Sequence, residues 1–225
     1  EVTTMKQLYT SRSMTRESLR RALSGDLDNI VMQALRKTGA FREGHFVYPN
    51  GKHTAHYFQM PLAFRYYDTA RVLAVALSRK FRLEKDISSQ LPKISIISPS
   101  SGGIPVAFGV RDALSAEQIY WAEQEKGERM FRQYVNQGEV NPCIIVDDII
   151  RSGNAIEETV ALVKTLGAKM IGCGAIVRTD GWLDNRSGET VSPVIVLQLR
   201  SPDGTLTSQT GLPCTSYSTT LFSPF

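Results

Sequence analysis

The segment from Cys143 to Val160, CIIVDDIIRSGNAIEETV, restricts the possible folds of this chain more than any other. Cys143 to Val146 is a compact apolar run of strand length, and it ends on two adjacent acids, Asp147 and Asp148. A short loop with Ser152 and Gly153 follows. A helix is then expected from Asn154 to Leu166, with Gly167 as its C-cap. Strand, loop and helix in that order form the unit of an α/β fold. The same pattern occurs upstream, where Ile94 to Ile97 precede Ser98-Pro99-Ser100-Ser101-Gly102-Gly103 and a helix from Ile104 to Leu114. Met170 to Val177 and Val194 to Leu199 read as further strands. So do Gln118 to Ala122 and Arg129 to Tyr134, with the charged stretch Glu123 to Glu128 between them. The expected architecture is α/β, with a mainly parallel central sheet flanked by helices.

The N-terminal part has other periods. Leu27, Ile30, Val31, Ala34 and Leu35 recur at helical spacing, which predicts an amphipathic helix over Asp26 to Lys37. A shorter helix is expected over Met14 to Leu23. Aromatics on either side of Pro49-Asn50-Gly51 predict a β-hairpin between Gly44 and Pro61. Asp68 is placed as the cap of a helix running through Arg82. The 225 residues are read as one domain: helices and a hairpin hood over 1–66, a core over 67–200 and an irregular tail over 201–225.

Composition excludes several classes. Hydrophobic residues are 42% and charged residues 21%, as in globular chains. A net charge of +4 is too small to argue for nucleic acid and suits an anionic small molecule. No apolar run approaches about 18 residues, so no membrane span is expected. Three scattered cysteines give neither a zinc pattern nor a disulfide framework. They fit a reducing compartment, and the cytoplasm is the expected location.

Open α/β sheets bind ligands at the C-terminal edge of their strands. At that edge Asp147 and Asp148 would accept hydrogen bonds from a vicinal diol. The helix start after Gly153 offers unpaired N–H groups and a positive dipole end to a phosphate. Together these suit a sugar that carries both a phosphate and a diol. The same carboxylates would stabilise positive charge on the sugar in an oxocarbenium-like transition state. Against this stand a plain helix-capping loop with solvated acids, and a receiver-type magnesium site, whose acids come early in the chain.

The string resembles the phosphoribosyl pyrophosphate (PRPP) signature of type I phosphoribosyltransferases. Further matches are similar to the orotate branch of that family. They are Gly51-Lys52-His53 with Tyr57-Phe58-Gln59, then Pro99 to Ile104, and then Ala122 to Gly127, which looks like the start of a mobile catalytic loop. The resemblance implies that PRPP is held by Asp147, Asp148, Ile149, Ile150, Arg151, Ser152, Gly153, Asn154 and Ala155. Ser100, Ser101 and Gly102 would complete that set. It implies Asp147, Asp148 and Lys126 as catalytic residues, and Phe58 and Arg178 as base contacts. It also implies a glycosyltransferase that joins orotate to PRPP, with magnesium (Mg2+) carried on the PRPP and no direct protein ligand. A homodimer is implied, with no nucleic-acid or membrane partner.

Four positions depart from the family pattern. Arg151 stands where Thr or Ala is usual, Gln124 stands at the loop lysine, and Pro49 replaces a hairpin lysine. Thr179 falls at the orotate-binding arginine, with Arg178 one residue early. These departures leave a second reading open, a non-catalytic or regulatory PRPP-binding relative or a transferase for another base. A third reading is an unrelated nucleotide-binding α/β protein.

Overall fold

A computed structural model describes residues 27–47, 53–136, 139–140, 142–179 and 194–198. The expected helix over Met14 to Leu23, the Pro49-Asn50-Gly51 turn and the tail over 201–225 lie outside the described residues. The chain opens with helix α1 (Leu27–Lys37) and the strands β1 (Phe41–Val47) and β2 (His53–Phe58). A short helix α2 (Pro61–Phe64), a long helix α3 (Tyr67–Phe81) and a short helix α4 (Lys85–Ser88) follow. Then come β3 (Ser95–Pro99), α5 (Gly103–Leu114), β4 (Gln118–Glu125) and β5 (Glu128–Phe131). The series ends with β6 (Cys143–Ile150), α6 (Asn154–Thr165), β7 (Met170–Arg178) and β8 (Val194–Gln198).

Strands β1 and β2 form a separate antiparallel pair, as the hairpin pattern predicts. The central sheet has the order β5-β4-β3-β6-β7-β8. Every neighbour pair from β4 to β8 is parallel, and only β5 runs antiparallel, on β4. From β3 the chain steps to β4 on one side, and from β6 it steps to β7 and β8 on the other. The adjacent strands β3 and β6 therefore flank the topological switch point, where open sheets of this kind form a ligand crevice.

Each face of the sheet has its own core. Ile96, Ile144, Val146 and Ile176 pack with α1, α3 and α5, through Leu35, Leu73, Leu77 and Val110. Ile97, Ile145 and Cys173 pack on the other face with Ile156 and Val163 of α6. Strand side chains alternate between faces, and Ile144 to Val146 obey that rule. Beyond the acids the phase slips: Ile149 packs with the first core and Ile150 with the second. Two neighbouring acids thus sit at a break in the alternation.

Three expectations change. Helix α3 has Tyr66, not Asp68, at its N-cap, and no side chain caps it. Asp68 lies in the first turn, where its charge favours the helix dipole. Strand β6 continues through Asp147-Asp148-Ile149-Ile150, so the loop before α6 is shorter than the sequence suggests. The charged stretch Glu123 to Glu128 is not an open loop. Glu123 pairs with Met130, Gln124 with Arg129 and Glu125 with Glu128. Lys126 and Gly127 alone make the turn, with φ of 51° and 88°. Two successive positive φ values suit a primed two-residue hairpin turn. Arg132 binds Glu123 at 3.0 Å and Glu125 at 2.9 Å, which keeps both acids paired along the ribbon.

Helices α3 and α5 cross closely at Gly109. A Cβ there would lie 2.5 Å from Ala74 Cβ, so a side chain forces the helices apart. Gly109→Ala is expected to cost about 1–3 kcal/mol, the range for overpacking a core. In a chain of this size that lowers the thermal midpoint by about 2–4 °C per kcal/mol. A melt followed by circular dichroism checks this, and an unchanged midpoint contradicts the helix contact.

Candidate functional site

Three chain segments meet where β3 and β6 end. From β6 come Asp147 and Asp148, each only 8% exposed. Their carboxylates curl onto the local backbone. Asp148 N–H donates to Asp147 Oδ1 at 2.9 Å, and Ile149 N–H donates to Asp148 Oδ1 at 2.7 Å. From the loop after β3 come Gly102 and Gly103. A Cβ on Gly102 would lie 2.6 Å from Asp148 Oδ2, and one on Gly103 would lie 2.9 Å from Asp147 Oδ1. Only glycine lets this backbone rest against the acids. The same loop is tied to β4, since Ser100 N–H donates to Ala122 O at 2.9 Å, and a cis peptide joins Ser100 to Ser101.

The third segment is the start of α6. Gly153 adopts φ of 83° at the N-cap, a left-handed conformation that favours glycine. Asn154 N–H reaches Ser152 Oγ at 3.5 Å, and the first intrahelical bond runs from Glu157 N–H to Gly153 O at 3.0 Å. The remaining first-turn N–H groups are the ones a helix leaves for an external acceptor. Arg151, Ser152 and Asn154 are exposed and Ala155 is half-buried, while Ile150 is 2% exposed with its side chain in the core. Ile149 also packs against core residues, so backbone alone is available to a ligand at Ile150. Near the end of β3, Ser98 Oγ is buried with no partner among the described residues.

The acids are strongly perturbed. Burial raises Asp147 well above the usual carboxylate range, and the charge of Asp148 adds to this. The Asp148 N–H and the Arg129 guanidinium oppose the shift. Burial also raises Asp148, against the hydrogen bond from Asp147, the Ile149 N–H and the charge of Arg151. The pair therefore holds a proton more readily than separate surface aspartates do.

The other sequence-predicted residues divide. Ser100, Ser101 and Gly102 come to the crevice rim together with the acids and the α6 start. Phe58 does not present an open ring: it is 6% exposed, and its ring centroid lies 4.9 Å from that of Phe41, inside the first core. Arg178 ends β7 opposite Ile150, at the same sheet edge, and Thr179 N–H donates to Ile150 O at 3.0 Å. Lys126 is exposed at the tip of the β4–β5 hairpin. The cations felt at the acids are Arg129 and Arg151, not Lys126.

Sequence reasoning underrated Arg129. Its side chain is 6% exposed, and its Nε lies 3.0 Å from Glu158 Oε2 on α6. Only the β4–β5 register reveals this, because it turns Arg129 into the cross-strand partner of Gln124. Gly103 and Ser98 were read as part of the loop after β3 but left out of the PRPP-contact set. The signal for Gly103 was the doubled glycine after an apolar strand.

Comparison with known proteins agrees with this geometry. The phosphoribosyl transferase domain family matches residues 70–201. An orotate phosphoribosyltransferase from a Thermoanaerobacter species is 31% identical over 153 residues, which cover 67% of this chain and 76% of that protein. The one from Thermotoga petrophila is 28% identical over 154 residues, 68% of this chain and 77% of that protein. Among solved structures, orotate phosphoribosyltransferase from Aeropyrum pernix has the same fold, with a TM-score of 0.62 at 20% identity over 75% of this chain and 93% of that one. With more than half of its length in the family match and the acid pair, glycine loop and helix start assembled at one sheet edge, the chain belongs to the type I phosphoribosyltransferase family.

Proposed function

We propose that the chain binds PRPP across the crevice between β3 and β6 and transfers its phosphoribosyl group to a nucleobase, with orotate as the first candidate. The observation that carries this reading is the contact of Gly102 and Gly103 with the two carboxylates, beside the start of α6. Asp147 and Asp148 would take the ribose hydroxyls, and the turn from Arg151 to Ala155 would take the 5-phosphate. As the bond from C1 to pyrophosphate breaks and the bond to the base nitrogen forms, positive charge grows on the ribose. Fixed carboxylates beside it stabilise that charge. Among the described residues no group of three or more His, Cys, Asp or Glu side chains is gathered to hold a metal ion. Magnesium carried on the PRPP would neutralise leaving-group charge. The orotate relatives support the choice of base, and Arg178 at the sheet edge is its candidate contact. Among the described residues no helix is long and apolar enough to cross a membrane. A homodimer in the reducing cytoplasm completes the reading, and light scattering checks the assembly.

A second reading, a PRPP binder without turnover, is favoured by the β4–β5 hairpin. The segment that resembles a mobile loop is laddered into the sheet, and Gln124 sits within it. Pyrophosphate release from PRPP with a panel of bases separates the two. Release with orotate supports transfer. PRPP binding by calorimetry without release for any base supports the second reading, and no PRPP binding at all rejects both. If transfer occurs, Gln124→Lys is expected to raise its rate by up to about 10²-fold, the scale of one preorganised charge-stabilising donor. A flat rate shows that position 124 does not reach the leaving group.

A further inference from the structure

Arg129 is a nearly buried cation with few contacts for its burial. Its Nε pairs with Glu158 at 3.0 Å, and its Nη1 donates to Ala122 O at 3.2 Å. Its Nη2 has no partner among the described residues. A guanidinium carries five N–H donors, and Nη2 is not among the buried unpaired atoms, so this donor still reaches solvent. Its location is specific. The Ala122 carbonyl that receives Arg129 also receives Ser100 N–H, so the guanidinium lies beside the loop that leads to Gly102. Glu158 brings in α6 from the other side. The charge of Arg129 is also felt at Asp147. One side chain thus stands where the glycine loop, the helix start and the acid pair meet, held from β5 by a paired strand and a two-residue turn.

We propose that Arg129 is the fixed cation of this site, that its free edge binds the pyrophosphoryl group of PRPP, and that Glu158 is the residue that positions it. The inference rests on the PRPP reading above. Guanidinium matches phosphate oxygens with paired donors, whereas a lysine in the same place offers a point charge without that fork. The ribose 5-phosphate half of the ligand would be held by the acids and the α6 turn, and would feel Arg129 only through its charge at Asp147.

The test is calorimetry on folded variants with two probes, PRPP with magnesium and ribose 5-phosphate. Arg129→Met is expected to weaken PRPP by about 10- to 100-fold, the worth of one or two hydrogen bonds to a charged group. Ribose 5-phosphate should stay within about threefold on that account. Arg129→Lys should recover part of the loss. Glu158→Gln should give a smaller loss confined to PRPP, and the double variant should be no worse than Arg129→Met, since Glu158 acts through the arginine. Equal losses for both probes, or undiminished PRPP affinity, overturn the proposal and leave the PRPP reading standing. If Arg129→Met does not fold, Glu158→Gln decides: an unchanged preference for PRPP over ribose 5-phosphate overturns it. Failure of the wild-type chain to bind PRPP overturns both.

Discussion

Replacing both acids by amides, Asp147→Asn with Asp148→Asn, is expected to abolish PRPP binding while raising stability at neutral pH. Each carboxylate lost as an acceptor removes a charge-assisted hydrogen bond worth about 1.5–3 kcal/mol, so the pair predicts a loss of roughly 10²–10⁴-fold in affinity. The amides keep an oxygen for the Asp148 and Ile149 N–H donors, so the local backbone remains supported. Stability moves the opposite way. Both acids titrate above their ordinary value in the folded chain, chiefly because they are buried. The folded state therefore binds more protons than the unfolded state at pH values above the ordinary 3.8. Stability contributed by the pair is present in acid and is lost as pH rises through the raised range. The amide variant should lack that decline and melt higher at pH 7, by about 2–4 °C for each 1 kcal/mol removed. PRPP affinity of the wild-type chain should fall with acidification at higher pH than ordinary aspartates would give. Undiminished PRPP affinity in the amide variant removes the acids from the site, and a lower melting point contradicts the burial penalty.

Gly102→Ala is also expected to weaken binding, by a smaller factor. The added methyl must occupy space 2.6 Å from Asp148 Oδ2 and 2.8 Å from both Asp148 Cγ and Oδ1. The carboxylate cannot simply swing out, because it is buried and already accepts the Ile149 N–H. Either the loop lifts or the acid turns away, and both outcomes separate the two halves of the crevice. A loss of at least about tenfold in PRPP affinity is expected, equal to about 1.4 kcal/mol. Gly102 is the N-cap of α5 at a φ of −63°, which alanine adopts freely, so a backbone penalty does not confuse the result. Calorimetry beside a thermal melt checks it. Normal affinity would show that loop and acids do not need to touch.

How much of this was visible in the sequence varies by element. Helix α1 was legible because Leu27, Val31 and Leu35 repeat at helical spacing, and all three are buried. The two strand-loop-helix units were legible because Ile96-Ile97 and Ile144-Ile145 end at glycine-containing turns. The length of β6 was not. Aspartates are poor strand formers, so the strand appeared to stop at Val146. Pairing with β7, where Asp147 faces Ala175 and Ile149 faces Val177, carries the ladder past them. The β4–β5 ribbon was hidden for a related reason. Its turn is Lys126-Gly127 instead of the usual Asn-Gly, and its charges resemble the start of a mobile loop until Arg132 is seen to bridge Glu123 and Glu125. Arg129 was placed at the start of a strand, but only its pairing with Gln124 turns it towards Glu158 and the loop after β3. Phe58 shows the reverse failure, an aromatic assigned to a ligand that the first core uses for packing.

The short turn at Lys126-Gly127 has a kinetic consequence. Many transferases trap their ligand by folding a long segment over it, and departure then waits for that segment to reopen. A two-residue turn has too little chain to swing, and the strands on either side are pinned by cross-strand ion pairs. If the chain binds PRPP as proposed, release is expected to depend on breaking the contacts in the crevice. Residence time should then follow affinity directly from variant to variant.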